Sequence, residues 1–417
     1  MFKEAARKKH ISFNIDKLLE IDDERRRLIQ ETETLRAEQN IETDKIAKTK
    51  NEEGRERLIG ATKVLKERLS ESEENLKKVV KDWKKMMLEV PNIPDPSVPE
   101  GESDKDNKEV RKWGELPDFG SPTGGFEPKD HMELMKNLDL VDFERGTKVS
   151  GFRGYFLKNE AALLCFAIWQ FSFEEMVKAG FVPFIAPSMA REESFRGTGW
   201  LPQGKDEIYK TQDDLYLAGT AEVPMMGYYA DEVLSEEELP KKYVAFSPCF
   251  RREAGSYGKD VKGLYRVHEF MKVEQVVLCR ADHVESVKWH EEITNNSEKI
   301  MRALKIPYRV VANCGGDLGL GQVKKYDIEA WTPSKKGYGE THSASYFHDF
   351  QTRRLNIRYK TKDGKIYFAH SLNNTVIATP RILISLLENN QQADGSVLVP
   401  EVLQKYLGKE KILPIGR

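Results

Sequence analysis

The sequence predicts an α+β protein in which helices flank an antiparallel β-sheet, preceded by an α-helical arm at the N-terminus. Two observations predict the sheet. Strand-like segments follow one another after residue 180, and the pair 243–250 and 269–279 is joined by a long Gly-rich loop, as in a hairpin. A third observation predicts the arm, because residues 1–90 are rich in charge, hold only three aromatics and repeat apolar residues at heptad spacing.

The arm is the first element. Ile21, Leu28 and Leu35 recur every seven residues, and a second apolar stripe runs from Leu58 to Met87. Between the stripes, "KTKNEEG" (48–54) is polar and ends in glycine, so we expect an antiparallel two-helix arm with its tip near residue 50. The alternative is one long helix that dimerises with a partner chain. A native start at Met1 and a lost leader helix both stay open.

A boundary follows the arm. The stretch "VPNIPDPSVPEGESDKDNKEV" (90–110) holds four prolines and many charges, which is typical of an extended linker. We therefore predict an arm over 1–95, a linker over 96–114 and a globular domain over 115–417. That domain should contain an apolar helix at 159–180, a strand at 181–187 and a second apolar helix at 377–391. Further strand-like segments lie at 207–217, 307–313, 325–333, 345–359 and 365–368.

Composition narrows the class of protein. The 417 residues are 39% hydrophobic and carry a formal net charge of −2, so any nucleic-acid binding must be local rather than driven by a global positive field. The four cysteines form no C-x-x-C motif, which argues against a zinc site or a disulfide framework and favours a reducing compartment. No run approaches the roughly 18 apolar residues of a membrane span. We expect a soluble, cytoplasmic protein.

Two common nucleotide-binding motifs are excluded. "GWLPQGKD" (199–206) fits G-x-x-x-x-G-K but ends in Asp206, where a P-loop needs a hydroxyl for Mg²⁺. No G-x-G-x-x-G follows a strand, so a Rossmann site has no support. A nucleotide must bind in another way.

The predicted hairpin offers one. In "FRREAGSYGKDVKGLYRVHEF" (250–270), Arg251 stands at the end of a strand, where a guanidinium can form two parallel hydrogen bonds to phosphate or carboxylate oxygens. Arg266 faces it from the returning strand, and a purine could stack on Phe270. The alternative is a solvated charged loop with Phe270 in the core.

Two further stretches carry candidate residues. Glu340 and Ser343 are three apart, and their oxygens suit Mg²⁺; the alternative is a surface turn. Asn373 and Thr375 are predicted in a tight turn before Arg381, which starts a helix. The alternative there is an ordinary capped amphipathic helix, although its buried stripe does not require an arginine.

Together these stretches resemble the class II aminoacyl-tRNA synthetases, and within them the seryl-tRNA synthetases. "GFVPFIAP" resembles motif 1, with Pro187 at the dimer interface; the hairpin resembles motif 2; and "NNTVIATPRILISLLENNQ" resembles motif 3, with Arg381 in the place of its arginine. "GTGWLPQGKDEIYK", "LAGTAEVPM" and "GGDLGLGQVKKYDIEAW" are similar to the serine-type subfamily. The chain departs from the usual pattern at Asn374, Thr375 and Pro380, and Thr375 brings a methyl group into the expected pocket.

The resemblance implies a role for each matching residue. Arg251 and Arg381 would be the catalytic arginines, with Arg251 on the α-phosphate of ATP and on the serine carboxylate. The implied ATP-binding residues are Arg251, Arg252, Glu253, Arg266, Val267, Phe270, Glu340, Thr341, His342, Ser343 and Arg381. The implied serine-binding residues are Thr220, Ala221, Glu222, Arg251, Glu274, Asn373 and Thr375. Glu340 and Ser343 would ligate the Mg²⁺ of ATP, and no zinc is expected.

The implied function is ATP-dependent activation of L-serine, followed by transfer to the 3′ end of tRNA(Ser), by a homodimer whose arm binds the tRNA. Whether tRNA(Sec) is a second substrate stays open. Two alternative functions fit the sequence less well. A ligase that loads a carrier protein has no evident use for a coiled-coil arm. A non-catalytic RNA-binding paralogue predicts loss of the phosphate-binding arginines, which this sequence keeps.

Overall fold

The computed structural model describes residues 1–120, 125–256 and 262–414. Residues 257–261, at the tip of the predicted basic hairpin, lie outside the described residues. The chain divides into two compact units. The first comprises Met1–Arg7 and Ile11–Pro91, and the second comprises Lys8–His10 and Asn92–Arg417.

The first unit is helical. Its elements are α1 (Phe2–Lys8), α2 (Ile15–Lys48) and α3 (Glu52–Met87). The side chains of Asn14 and Asn51 accept hydrogen bonds from backbone N–H groups in the first turns of α2 and α3, which caps both helices.

Helices α2 and α3 pack antiparallel. The hydroxyls of Thr32 and Ser72 lie 2.8 Å apart, and the guanidinium of Arg25 lies 4.6 Å from the ring centroid of Trp83. Residues near the start of α2 therefore meet residues near the end of α3. Leu28 and Leu35 of the predicted stripe are buried. The predicted two-helix arm with its tip near residue 50 is confirmed, and the single long helix is wrong.

The second unit is mixed. Its helices are α4 (His131–Asn137), α5 (Phe143–Ser150), α6 (Glu160–Lys178), α7 (Glu192–Thr198), α8 (Glu222–Gly227), α9 (His283–Ala303), α10 (Phe350–Arg354), α11 (Arg381–Asn390) and α12 (Glu401–Leu407). Its main strands are β1 (Lys108–Trp113), β4 (Val182–Ile185), β8 (Lys241–Phe250), β9 (Glu269–Cys279), β10 (Tyr308–Ala312), β11 (Lys324–Thr332), β12 (Gly337–His348) and β15 (His370–Thr379). Short strands are β2 (Val141–Asp142), β3 (Phe156–Leu157), β5 (Met189–Ala190), β6 (Tyr216–Leu217), β7 (Val233–Ser235), β13 (Arg358–Lys360), β14 (Ile366–Phe368), β16 (Val397–Leu398) and β17 (Lys411–Ile412).

The eight main strands form one sheet in the order β1-β10-β11-β12-β15-β9-β8-β4. Neighbouring strands are antiparallel except β4 and β8, which are parallel. Val273 and Ile328 of the sheet share one hydrophobic core with Ile168 of α6, Ile293 of α9 and Leu383 of α11. The predicted antiparallel sheet flanked by helices is therefore confirmed, as is the hairpin that joins β8 to β9.

Four segments differ from the sequence predictions. The strand-like segment predicted at 207–217 contains only the short strand β6 at its end. Asn373 and Thr375 lie within strand β15 and not in a tight turn. A tight turn was predicted because asparagines are rare in strands. In the structure, Asn374 is buried within the strand, and its amide donates to the backbone carbonyl of Ile293. The predicted strand at 345–359 is interrupted by α10. The predicted linker 96–114 ends in β1, a charged edge strand that pairs with β10.

Candidate active site

A cleft is lined by side chains of β9, β12 and β15 and of the loop that follows β8. Fourteen of the seventeen residues predicted for ATP and serine line it: Thr220, Glu222, Arg251, Glu253, Arg266, Val267, Phe270, Glu274, Glu340, Thr341, Ser343, Asn373, Thr375 and Arg381. Ala221, Arg252 and His342 do not line the cleft. The structure thus brings together side chains that are up to 161 positions apart, from Thr220 to Arg381.

Arg251 stands where β8 ends, and its backbone N–H donates to the carbonyl of His268 across the hairpin. Its guanidinium lies 5.3 Å from the ring centroid of Phe270 and 5.8 Å from that of Trp200. Its Nε is buried and has no hydrogen-bond partner among the residues that the structure describes. A guanidinium that lines a cleft and has a buried, unused donor is suited to an anionic ligand.

Two more arginines enter the cleft from other elements. Arg266 Nη1 donates to Glu253 Oε2 at 2.8 Å. Arg381, the first residue of α11, donates from Nη1 to the backbone carbonyl of Glu340 at 3.0 Å and stacks on Tyr265, 4.5 Å from its centroid. These contacts orient three guanidinium groups towards one cavity, as polyphosphate binding requires.

A β-bulge explains how Glu340 and Ser343 share the cleft. Side chains alternate along a strand, so residues three apart normally face opposite sides. Between β11 and β12 the register shifts: Ser343 pairs with Asp327, but Glu340 pairs with Glu329, which makes Thr341 the extra residue. The bulge returns Glu340 to the side of Ser343, and the alternative of a surface turn is wrong.

The bulge also explains the position of His342. Its side chain turns away from the cleft, where Nε2 lies 3.0 Å from the carbonyl of Val376, and burial lowers its pKa to about 4. His342 thus lies behind the residues that line the cleft, and its role towards ATP stays a prediction.

The end of the cleft that holds the residues predicted for serine contains buried charge. Glu274 and Lys272 of β9 form an ion pair, and Lys272 Nζ also donates to the hydroxyl of Thr220 at 2.8 Å. Thr375 of β15 lies directly opposite Glu274. Such a pair can offer a carboxylate oxygen to a small hydroxyl while its charge stays compensated.

Glu222 is a second buried carboxylate at this end. Gln351 Nε2 donates to it at 2.5 Å, and the hydroxyl of Ser371 donates in turn to Gln351 Oε1 at 2.8 Å. Burial raises the pKa of Glu222 to about 7, although the hydrogen bond from Gln351 opposes the shift. A carboxylate in this state is suited to a ligand that brings its own positive charge.

Sequence reasoning missed several lining or supporting residues, among them Trp200, Tyr265, Lys272 and Gln351. Lys272 could have been found, because it stands two positions before Glu274 and so faces the same side of the strand. Gln351 could not have been found, because it reaches the site from α10, a helix within a predicted strand.

Some side chains of the cleft can contribute to a Mg²⁺ site. Among the described ranges, no group of three His, Cys, Asp or Glu side chains could hold a metal ion unaided. Mg²⁺ in nucleotide sites is usually held by one or two side chains together with substrate phosphates. Glu340, whose side chain is 48% exposed, and Ser343 supply such oxygens on the same side of β12 as the arginines. The residues fit the ion.

The antiparallel sheet and its three arginines are those of a class II tRNA synthetase. Residues 207–390 match the family model of the tRNA synthetase class II core domain (G, H, P, S and T). Residues 1–94 match the model of the seryl-tRNA synthetase N-terminal domain. The chain belongs to the seryl-tRNA synthetase family.

Individual relatives agree. The chain is 46% identical to a serine–tRNA ligase of Deinococcus radiodurans, over 99% of this chain and 96% of the relative. It is similar to the crystal structure of seryl-tRNA synthetase from Pyrococcus horikoshii complexed with ATP, with a TM-score of 0.87, 40% identity and coverage of 96% and 93%. It is also similar to the cytoplasmic serine–tRNA ligase from Naegleria fowleri in complex with AMP, with a TM-score of 0.88, 32% identity and coverage of 100% and 95%.

Across the described residues, no helix is long and apolar enough to cross a membrane.

Proposed function

We propose that this chain joins L-serine to the 3′ end of tRNA(Ser), converting ATP to AMP and pyrophosphate. The observation that carries the proposal is the single cleft that places Arg251, Arg266 and Arg381 beside the buried Glu274–Lys272 pair. The arginines suit a triphosphate, and the pair suits a small polar amino acid.

The first step needs no nucleophile from the protein. A carboxylate oxygen of serine attacks the α-phosphorus of ATP, the new oxygen–phosphorus bond forms, and the bond to the bridging oxygen breaks as its electron pair leaves with pyrophosphate. Arg251 holds the carboxylate and the α-phosphate, and Arg266 and Arg381 hold the outer phosphates. Mg²⁺, held by Glu340 and Ser343, would neutralise phosphate charge. Positioning and charge neutralisation supply most of the rate of such reactions.

The second step transfers serine. A 3′-terminal hydroxyl of the tRNA attacks the acyl carbon, and AMP leaves with the electron pair of the broken carbon–oxygen bond while its phosphate takes up the hydroxyl proton. Arg251 stays beside the α-phosphate and stabilises this leaving group.

Selectivity for serine rests on hydrogen bonds. Glu222 and Thr220 would bind the ammonium group, whereas Glu274 and Thr375, with Asn373 nearby, would bind the hydroxyl. Sites that hydrogen-bond a substrate hydroxyl reject analogues without it far more strongly than apolar pockets of matched size do.

The outer edge of the sheet supports a homodimer. Strand β4 is an edge strand, and its Ile185 and Val182 are 85% and 51% exposed. On α6, Phe166 and Leu163 are 66% and 54% exposed. Unpaired edge strands and clustered apolar side chains are usually covered. A second copy is the expected cover, through the segment that resembles motif 1 and ends at Pro187.

The arm supports binding of tRNA(Ser). Its length suits a long RNA feature that is read by shape and phosphate contacts. We further propose that the protein acts in the cytoplasm, which its four free, buried cysteines support. Charging of tRNA(Sec) is decided by adding that transcript to the aminoacylation assay.

Amino-acid-dependent exchange of pyrophosphate into ATP tests the activation step. All twenty amino acids are compared at saturating ATP and Mg²⁺. Exchange with serine alone is expected. Exchange with another amino acid would contradict the assignment of Glu274 and Thr375, and none at all would favour the non-catalytic paralogue.

Deleting residues 12–88 tests the arm. The shortened chain should keep serine-dependent exchange and lose aminoacylation of tRNA(Ser), because only the second step needs the RNA. Equal loss of both activities would contradict a role dedicated to tRNA.

A further inference from the structure

A buried polar network lies one layer behind the candidate Mg²⁺ ligands. Asn313 Nδ2 donates at 2.7 Å to Asp327 Oδ2 and at 2.7 Å to Asp317 Oδ2. Lys325 Nζ lies 3.5 Å from Asp327 Oδ2 and 3.6 Å from Asp317 Oδ2. One ammonium group is thus shared between two carboxylates.

Asp327 and Asn313 each have one side-chain oxygen that is buried without a hydrogen-bond partner among the described residues, and Asp327 is the one that carries charge. The residue is 6% exposed, and its Oδ1 is buried without a hydrogen-bond partner among the described residues. A buried carboxylate is costly unless its oxygens are hydrogen-bonded or lie near a cation. The described residues therefore leave one oxygen of Asp327 available to a further hydrogen-bond donor.

The register places Asp327 beside the candidate metal ligands. Asp327 lies directly opposite Ser343 in the β11–β12 pair, and Glu329, two residues on, lies opposite Glu340. Side chains of directly opposite residues lie on the same face, with Cβ atoms about 4.5–5.5 Å apart. Asp327 is thus on the face of the sheet that carries Glu340 and Ser343, although it does not itself line the cleft.

We propose that Asp327 is a positioning residue for the divalent cation that accompanies ATP, and that its free oxygen accepts a hydrogen bond from a group in the coordination shell of that cation. The inference rests on the proposed function. Asn313 and Lys325 fix the carboxylate, and its charge adds to that of Glu340. Carboxylates in this outer position orient the ligands and raise the affinity of the site for the metal.

The test is Mn²⁺ binding to the full-length protein with a non-hydrolysable ATP analogue, followed by electron paramagnetic resonance. Asp327→Asn keeps the shape and removes the charge; it should weaken Mn²⁺ binding about 10- to 100-fold. Binding of the analogue without metal should not change. Asp317→Asn is the matched control, because Asp317 shares Asn313 and Lys325 but does not face Ser343, and its effect should be much smaller.

Equal Mn²⁺ affinities for wild type and Asp327→Asn would overturn the proposal, as would equal losses in the two variants. Should Asp327→Asn fail to fold, Asn313→Ser removes the amide that fixes the carboxylate; weaker Mn²⁺ binding supports the proposal and unchanged binding overturns it. Wild-type protein without serine-dependent exchange would instead refute the proposed function, so the two failures are distinct.

Discussion

Replacing Lys272 and Glu274 together, each by methionine, should separate recognition of the serine hydroxyl from the stability of the fold. The two side chains belong to residues that are 5% and 2% exposed. Glu274→Ala alone leaves the Lys272 ammonium buried without its partner, which costs about 3–5 kcal/mol. That is a large share of the roughly 5–15 kcal/mol that holds a domain folded, so the single variant mainly reports stability. Replacing both charges by apolar groups of similar volume avoids this loss.

The expected effect on recognition follows from the lost hydrogen bond. A hydrogen bond to a charged acceptor contributes about 1.5–3 kcal/mol, which corresponds to about 10- to 150-fold in kcat/KM. Lys272 also donates to Thr220, in the loop proposed for the ammonium group, so activation of every amino acid will weaken somewhat. Alanine shares the ammonium group of serine and lacks its hydroxyl. The ratio of kcat/KM for serine to that for alanine therefore isolates the hydroxyl and should fall about 10- to 150-fold.

Pyrophosphate exchange with serine and with alanine measures this ratio, and thermal unfolding of each variant reports the fold. A ratio that stays at the wild-type value, with both rates reduced equally, would refute the reasoning. Glu274 would then support the cleft without contacting the hydroxyl.

Three other predictions follow from burial. The pKa of Glu222 is raised to about 7, so the carboxylate proposed to bind the serine ammonium is lost as pH falls; kcat/KM for serine should decrease from pH 8 to pH 6, and Glu222→Gln should flatten the profile. Burial lowers the pKa of His290 to about 4, so the unfolded chain binds a proton more readily below its ordinary pKa of about 6.5. The free energy of unfolding should therefore fall between pH 7 and pH 5, by up to about 2 kcal/mol from this residue, and urea titrations should show a smaller fall in His290→Asn. Replacing Leu35, which is 4% exposed in the arm, by alanine should lower the free energy of unfolding by about 2–5 kcal/mol. Circular dichroism should show that helix is lost under milder denaturing conditions. Aminoacylation should be reduced more than pyrophosphate exchange.

The features that the sequence predicted well are those with a local period. The heptads at Ile21, Leu28 and Leu35 predict the arm because a coiled coil repeats its contacts every seven residues. The alternation of polar and apolar residues in 269–279 predicts β9, because successive side chains of a strand point to opposite faces of the sheet. Most residues of the cleft were placed through the resemblance and not through any period.

The features that the sequence did not predict depend on partners distant in the chain. Lys272 appears as an ordinary polar position of an alternating strand, yet it is buried because Glu274 and Thr220 compensate its charge. Strand β15 carries asparagines because helix α9 offers carbonyl and hydroxyl groups to Asn374. The secondary-structure propensities of the individual residues predict neither arrangement, since tertiary contacts decide both.

The surroundings of His342 also depend on partners that are distant in the chain, and they indicate a structural role for this residue. Its Nε2 lies 3.0 Å from the carbonyl of Val376, which is itself the extra residue of a bulge between β15 and β9, and its Nδ1 lies 2.8 Å from the hydroxyl of Thr341, the extra residue of the bulge in β12. One buried imidazole thus joins two bulges on neighbouring strands. Bulges re-aim side chains next to active sites, and the bulge at Thr341 is what brings Glu340 to the side of Ser343. His342 therefore holds in place the bulge that brings the candidate Mg²⁺ ligands Glu340 and Ser343 to one side of β12.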